Sequence, residues 1–209
     1  MSIIQSFPRV LRALAFAGVF AAAPAFAQSS ETPAPASPPS ATETTPDDPP
    51  ASADVGSVAS LTLAARPALT LSGSAEWEAG LPTVMKALET LRAEMTKAGL
   101  QPGGRPVSVF TETDDQGFKF TAMLPLAAKP ETAPALGQNV ALGETPAGKA
   151  MKFEHRGSYD DIDTSYEAIT AYLDEKGLEA QNLFIEEYLT TPKDAEDSEL
   201  EVDIYVLLK

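Results

Sequence analysis

Phe184, Glu186 and Tyr188 occupy alternate positions in a short run, Phe184 to Leu189, that has the composition of a β-strand. Alternation along a strand puts these three side chains on one face and Glu187 on the other. A carboxylate among aromatic rings is costly to desolvate unless a cation or a hydrogen-bond donor meets it, and ring faces attract cations by about 0.5–2 kcal/mol. Two readings follow from the residues. Either that face turns to water and Glu186 is a surface acid, or it turns inward and offers a negative charge between rings. The other chemistry-bearing residues offer less. His155, the sole histidine, shares a strand face with Met151 and Phe153 and reads as a packing residue. The chain has no cysteine, which excludes thiolate catalysis, disulfides and Cys-based metal sites. No nucleophile-elbow motif, phosphate-cradling Gly-rich loop or metal-ligand spacing is present. No catalytic residue and no cofactor is therefore assigned.

The elements that must position Glu186 are legible from periodicity. Ser60–Leu63 and Ala68–Ser72 alternate as strands. A helix follows, with Pro82 in its first turn, Leu81, Val84, Met85, Leu88, Leu91 and Met95 at helical spacing, and Gly99 at its end. Val107–Phe110 and Phe118–Leu124 are strands joined by the turn Asp114–Gly117. The second half repeats this order. Met151–His155 is a strand, and Ser158 caps a helix with Asp161 as its capping-box partner. That helix aligns Ile162, Tyr166, Ile169, Tyr172 and Leu173 and stops at Gly177, and the strands Phe184–Leu189 and Leu200–Leu208 close the chain. Ala98-Gly99-Leu100 matches Lys176-Gly177-Leu178, and ten residues separate both Leu100 from Phe110 and Leu178 from Tyr188. The expected fold is α+β. Tandem strand–helix–strand–strand repeats form one pseudo-twofold domain with an antiparallel sheet and two main helices, joined by a crossover over Leu126–Pro146. A cleft between the halves is the natural ligand site, and the repeat sets Ser108 opposite Glu186, so the cleft carries one carboxylate rather than a pair. Tyr159 is the member of the aromatic stripe Tyr159, Tyr166, Tyr172 placed to reach that cleft; core packing is the reading for the other two and for Trp77.

Upstream of this domain the chain reads as an export leader and a spacer. Residues 1–12 carry Arg9 and Arg12 and no acid, an apolar run spans Ala13–Ala23, and Ala25-Phe26-Ala27 follows Pro24. That order is the secretory pattern, with cleavage expected after Ala27 and a periplasmic or secreted destination. Residues 28–55 hold seven prolines, many Ser and Thr and no aromatic residue, so an acidic, disordered linker is expected there, with the folded domain at 56–209. The whole chain has 15 basic and 30 acidic residues, net −15. Without 1–27 the balance is 13 against 30, or −17. Such a surface repels nucleic acid and anionic membranes and attracts cations at long range.

Arg156-Gly157-Ser158-Tyr159-Asp160-Asp161-Ile162, Tyr166, Tyr172-Leu173 and Lys176-Gly177-Leu178 resemble the GyrI-like small-molecule-binding domain, the effector-binding part of AraC-type and MerR-type regulators. Glu186-Glu187-Tyr188 with Pro192 resembles that family's E-x-Y strand and turn, and Asp203-Ile204-Tyr205-Val206 its closing strand. The resemblance covers about 56–209. Thr190-Thr191 and Leu207 depart from it, where the family has an acidic residue or Asn and a proline. The resemblance implies that Glu186 lies at the bottom of an aromatic-lined pocket for cationic, lipophilic ligands, with Tyr188, Tyr159, Phe153 and Tyr205 as walls. It implies binding of a small cationic or amphipathic molecule, without the family's DNA-binding head. The alternatives are a small-molecule hydrolase with Glu186 as base and a non-catalytic periplasmic interaction protein.

Overall fold

A computed structural model describes residues 56–209; the expected leader 1–27 and linker 28–55 lie outside the described residues. The described residues form eight strands and two α-helices: β1 (Ala59–Leu63), β2 (Pro67–Glu76), α1 (Gly80–Lys97), β3 (Val107–Thr113), β4 (Gly117–Pro125), β5 (Val140–Glu144), β6 (Gly148–Arg156), α2 (Ile162–Lys176), β7 (Ala180–Tyr188) and β8 (Glu201–Leu208). Short 3-10 turns, Trp77–Ala79 and Tyr159–Asp161, lead into the two helices. All strands join one sheet in the order β1-β6-β8-β7-β3-β4-β2-β5, and every neighbouring pair is antiparallel.

The expected repeat is visible in this order. Read outward from the centre, one half runs β3, β4, β2 and the other β7, β8, β6. Both helices end alike. Gly99 and Gly177 have φ of +65° and +62°, a left-handed conformation that suits glycine, and the next residues, Leu100 and Leu178, donate back to the Met95 and Leu173 carbonyls at 3.0 and 2.9 Å. The outermost strands trade places: β1 precedes β2 but pairs with β6, whereas β5 precedes β6 but pairs with β2. Each half is thus edged by a strand that the chain reaches from the other half.

Three expectations need correction. The crossover Leu126–Pro146 contains a strand, β5, whose five residues include Gly143 and pair with β2 alone; so short and glycine-bearing a run has little strand signature. β7 starts at Ala180, and its pairing with β8 is irregular between Ala180 and Phe184. The capping box at Ser158 is half formed. Ser158 Oγ accepts from the Asp160 amide at 3.2 Å and donates to the Ala195 carbonyl at 2.8 Å, while Asp161 makes no side-chain cap bond. The cap therefore serves the 3-10 turn and ties it to the loop before β8.

Both helices pack on one face of the sheet. Leu81, Val84, Leu88 and Leu91 of α1 and Ile162, Ile169 and Leu173 of α2 join one apolar cluster with Phe120, Phe153 and Ile204. A second cluster, with Val107, Val109, Ile185, Tyr205 and Leu207, gathers the residues that alternate to the other face. Phe153 is wholly buried, with its ring edge-on to Tyr172 at 5.5 Å. Truncating such a ring removes buried area and leaves a cavity, so Phe153→Ala should cost about 3–5 kcal/mol in urea unfolding. Leu142→Ala, at a side chain 38 % exposed on the edge strand, should cost under about 0.5 kcal/mol.

Candidate functional site

The centre of the sheet is where the halves meet, and Glu186 sits there. Its Cα partner on β3 is Ser108 and on β8 Ile204; Phe153 follows on β6 and Ala122 on β4. These five side chains form one row across the helix-covered face. Four of them carry no charge, and Glu186 is itself 1 % exposed.

Three phenols meet the carboxylate. Tyr188, two residues along the same strand, donates to Oε2 at 2.7 Å. Tyr166, from the second turn of α2, donates to Oε1 at 2.8 Å. Tyr159, from the 3-10 turn before α2, straddles both oxygens at 3.1 and 3.3 Å. A carboxylate offers about four lone-pair sites, so three are in use. All three donors are neutral, and among the described residues no Lys or Arg pairs with Glu186. Burial pushes the Glu186 carboxyl above its ordinary 4.5, and the bonds from Tyr188, Tyr166 and Tyr159 pull part of the way back. Burial beside that carboxylate raises all three phenols well above their ordinary range.

Phe184 and Phe110 extend the site along the two central strands. They are Cα partners, and Phe184 meets the Tyr166 ring edge-on at 5.2 Å. Ser108 is fully buried, yet its hydroxyl makes no hydrogen bond. It lies close enough to the Tyr188 phenol to lower that group's pKa. A buried hydroxyl left unpaired costs about 1–3 kcal/mol.

The residues expected at the site divide. Glu186, Tyr188 and Tyr159 come together. Phe153 shares their face but stands beyond Ile204, inside the core. Tyr205 is on the opposite face: it pairs with Ile185, belongs to the second cluster, and its hydroxyl donates to Glu187 at 2.9 Å, beside Arg66. Burial raises its pKa too. The wall expected from Tyr205 is therefore a correction: Ile204 is the β8 residue beside Glu186, because one step along a strand reverses the face. Tyr166, which helical spacing assigned to core, was missed. The signal that could have found it is the residue type, since a buried tyrosine hydroxyl needs a partner.

His155 is a packing residue with a structural task. Its Nε2–H donates to the Ser158 carbonyl at 3.1 Å, which leaves Nδ1 to accept from the Ser165 hydroxyl at 2.8 Å. Burial lowers its pKa, which favours the neutral ring. The ring thereby holds the residue that precedes Tyr159. Trp77 packs on Phe118 at 5.3 Å and donates to the Asp114 carbonyl at 2.9 Å. Among the described residues no group of three or more His, Asp or Glu could hold a metal ion, and no helix is long and apolar enough to cross a membrane. An open groove of about 710 Å³ lies at the β3–β4 hairpin, lined by Glu76, Thr111, Thr113 and Lys119 among others, and shares no residue with the Glu186 cluster.

A family profile described as the GyrI-like small molecule binding domain matches residues 58–209. Among solved structures, the C-terminal domain of EcmrR is 14 % identical with a TM-score of 0.61, covering 73 % of this chain and 97 % of that one. EcmrR in complex with DNA gives 14 % and 0.62, over 75 % of this chain and 58 % of that one. A hydrolase from Listeria innocua gives 12 % and 0.54, over 73 % and 91 %. At these identities the likeness is one of fold. A search of curated proteins returns no match.

A carboxyl whose pKa is higher folded than unfolded binds its proton more tightly when folded. Stability then rises as pH falls from the folded pKa toward the unfolded value of 4.5. Measured by urea unfolding between pH 7.5 and 4.5, wild type should gain stability relative to Glu186→Gln as pH falls. Parallel curves for the two proteins would show that Glu186 is not the buried titrating acid.

Proposed function

The chain belongs to the GyrI-like family of small-molecule-binding domains, and we propose that it captures a small cationic or amphipathic molecule at Glu186, outside the cytoplasm. One observation carries this reading: a buried carboxylate held by three neutral phenols and paired, among the described residues, with no cation. An ionised carboxylate out of water is stabilised far more by a positive charge than by neutral donors. The site supplies aromatic surface beside the charge, with Tyr159, Tyr166, Tyr188 and Phe184 around it, which suits a lipophilic cation.

Tyr159 is the side chain that gives way. Its two bonds to Glu186 are the longest of the set, the residue as a whole is only half-buried, and it stands on a 3-10 turn rather than within a helix. A ligand cation replacing the Tyr159 contact keeps the Tyr166 and Tyr188 bonds, so the carboxylate remains oriented throughout. Export rests on the leader-like residues 1–27, and net charge −15 adds long-range attraction for cations. Hydrolysis fits the geometry less well. A general base needs a free lone pair aimed at water, and three of about four such sites on Glu186 accept phenol bonds.

Thermal or urea unfolding in the presence of a panel of lipophilic cations tests the reading. A ligand at 100 times its dissociation constant should add about 2.7 kcal/mol of stability, and Glu186→Gln should lose most of that gain. Tyr159→Phe removes the yielding contact and should keep or strengthen binding. No stabilisation across the panel, or equal stabilisation of Glu186→Gln, would sink the proposal.

A further inference from the structure

Ser108 bears on what kind of cation the site takes. On β3, Val107 and Val109 belong to the second cluster, on the other face, and Phe110 to the helix-side cluster, so Ser108 turns toward the helices, as Glu186 does. The two are Cα partners, and side chains so paired across antiparallel strands start about 4.5–5.5 Å apart. The flanking positions in the row, Ala122 and Ile204, offer no polar atom. Two oxygens with unmet capacity therefore stand side by side, with the Tyr188 hydroxyl near both. One is the remaining acceptor site of Glu186, on a carboxylate whose other sites hold the Tyr188, Tyr166 and Tyr159 protons. The other is the Ser108 hydroxyl, fully buried and without a partner.

We infer that the site selects cations that carry N–H, protonated amines or amidines, over quaternary onium ions, with Ser108 as the specificity-determining acceptor beside Glu186. The inference rests on capture at Glu186. A quaternary centre neutralises the carboxylate but has no proton to donate, so it leaves the Ser108 hydroxyl as unpaired as it was. An ammonium group on the helix-covered face, between the two side chains, can donate to Glu186 and Ser108 at once, because two hydrogen bonds of ordinary length span the distance between paired side chains. The Ser108 hydroxyl is then bonded to a charged donor, the stronger class of hydrogen bond. The asymmetry of the pseudo-twofold supplies the geometry: one half contributes the charge, the other a neutral acceptor.

The test compares two probes that share a hydrophobic body, 4-phenylbutylammonium and 4-phenylbutyltrimethylammonium chloride, by calorimetric titration at pH 7. Wild type should bind the primary ammonium more tightly. In Ser108→Ala the ratio of the two affinities should fall about tenfold or more, the worth of a hydrogen bond to a charged group, with quaternary binding unchanged. Ser108→Ala removes a buried, unbonded hydroxyl, so it should fold; its urea midpoint verifies this. A wild-type preference for the quaternary ion, or a ratio that Ser108→Ala leaves unaltered, overturns the inference. In either case, loss of both probes in Glu186→Gln would show that capture at the glutamate still stands. Absence of binding by both probes in wild type overturns the inference together with the capture reading.

Discussion

A carboxylate that keeps 1 % of its surface in contact with solvent has to be met by donors, and at Glu186 they arrive from three separate elements. Tyr188 comes from the same strand, Tyr166 from α2, and Tyr159 from the turn that precedes α2. Meeting this requirement fixes how α2 lies over β7, since a rotation or slide of the helix would withdraw one phenol or another. It also explains the supports behind the phenols. His155 pins the carbonyl of Ser158, and the Ser158 hydroxyl is bonded to the loop before β8, so the residue before Tyr159 is anchored twice.

The same arrangement is poised rather than settled. Neutral donors satisfy the geometry of a carboxylate but leave its charge uncompensated, and burial raises its pKa. In a domain built only for stability, an apolar residue in that row would avoid the cost. The adjoining Ser108, buried and unbonded, adds a second unmet polar group where the two halves meet. Both shortfalls lie at the junction of the repeats, on the paired central strands β3 and β7.

Exchange of the edge strands makes the halves interdependent. β1 closes the half that holds Glu186 and β5 the half that holds Ser108, although each is reached from the opposite side of the chain. A single unit without its borrowed strand would leave an outer strand of its sheet unpaired. The central pair β3–β7 is thus held from both directions.

Much of this was readable from the chain itself. The strand–helix–strand–strand order, the glycine ends of both helices and the shared face of Phe184, Glu186 and Tyr188 all rest on local periodicity, which needs only neighbours along the chain. The register correspondence of Ser108 with Glu186 followed from the repeat. β5 was not readable, because five residues with a glycine acquire strand character only by pairing with β2. The partner of the Tyr166 hydroxyl was equally hidden: helical spacing says that the ring is buried, but only the docking of α2 says on what. Tyr205 shows the limit most clearly. Its motif was present, yet its face depends on the register of β8 against β7, and a shift of one residue exchanges Tyr205 for Ile204. Local sequence determined the elements and the candidate charge. Tertiary structure decided which side chains surround it, because facing and register are set by contacts between residues distant in the chain.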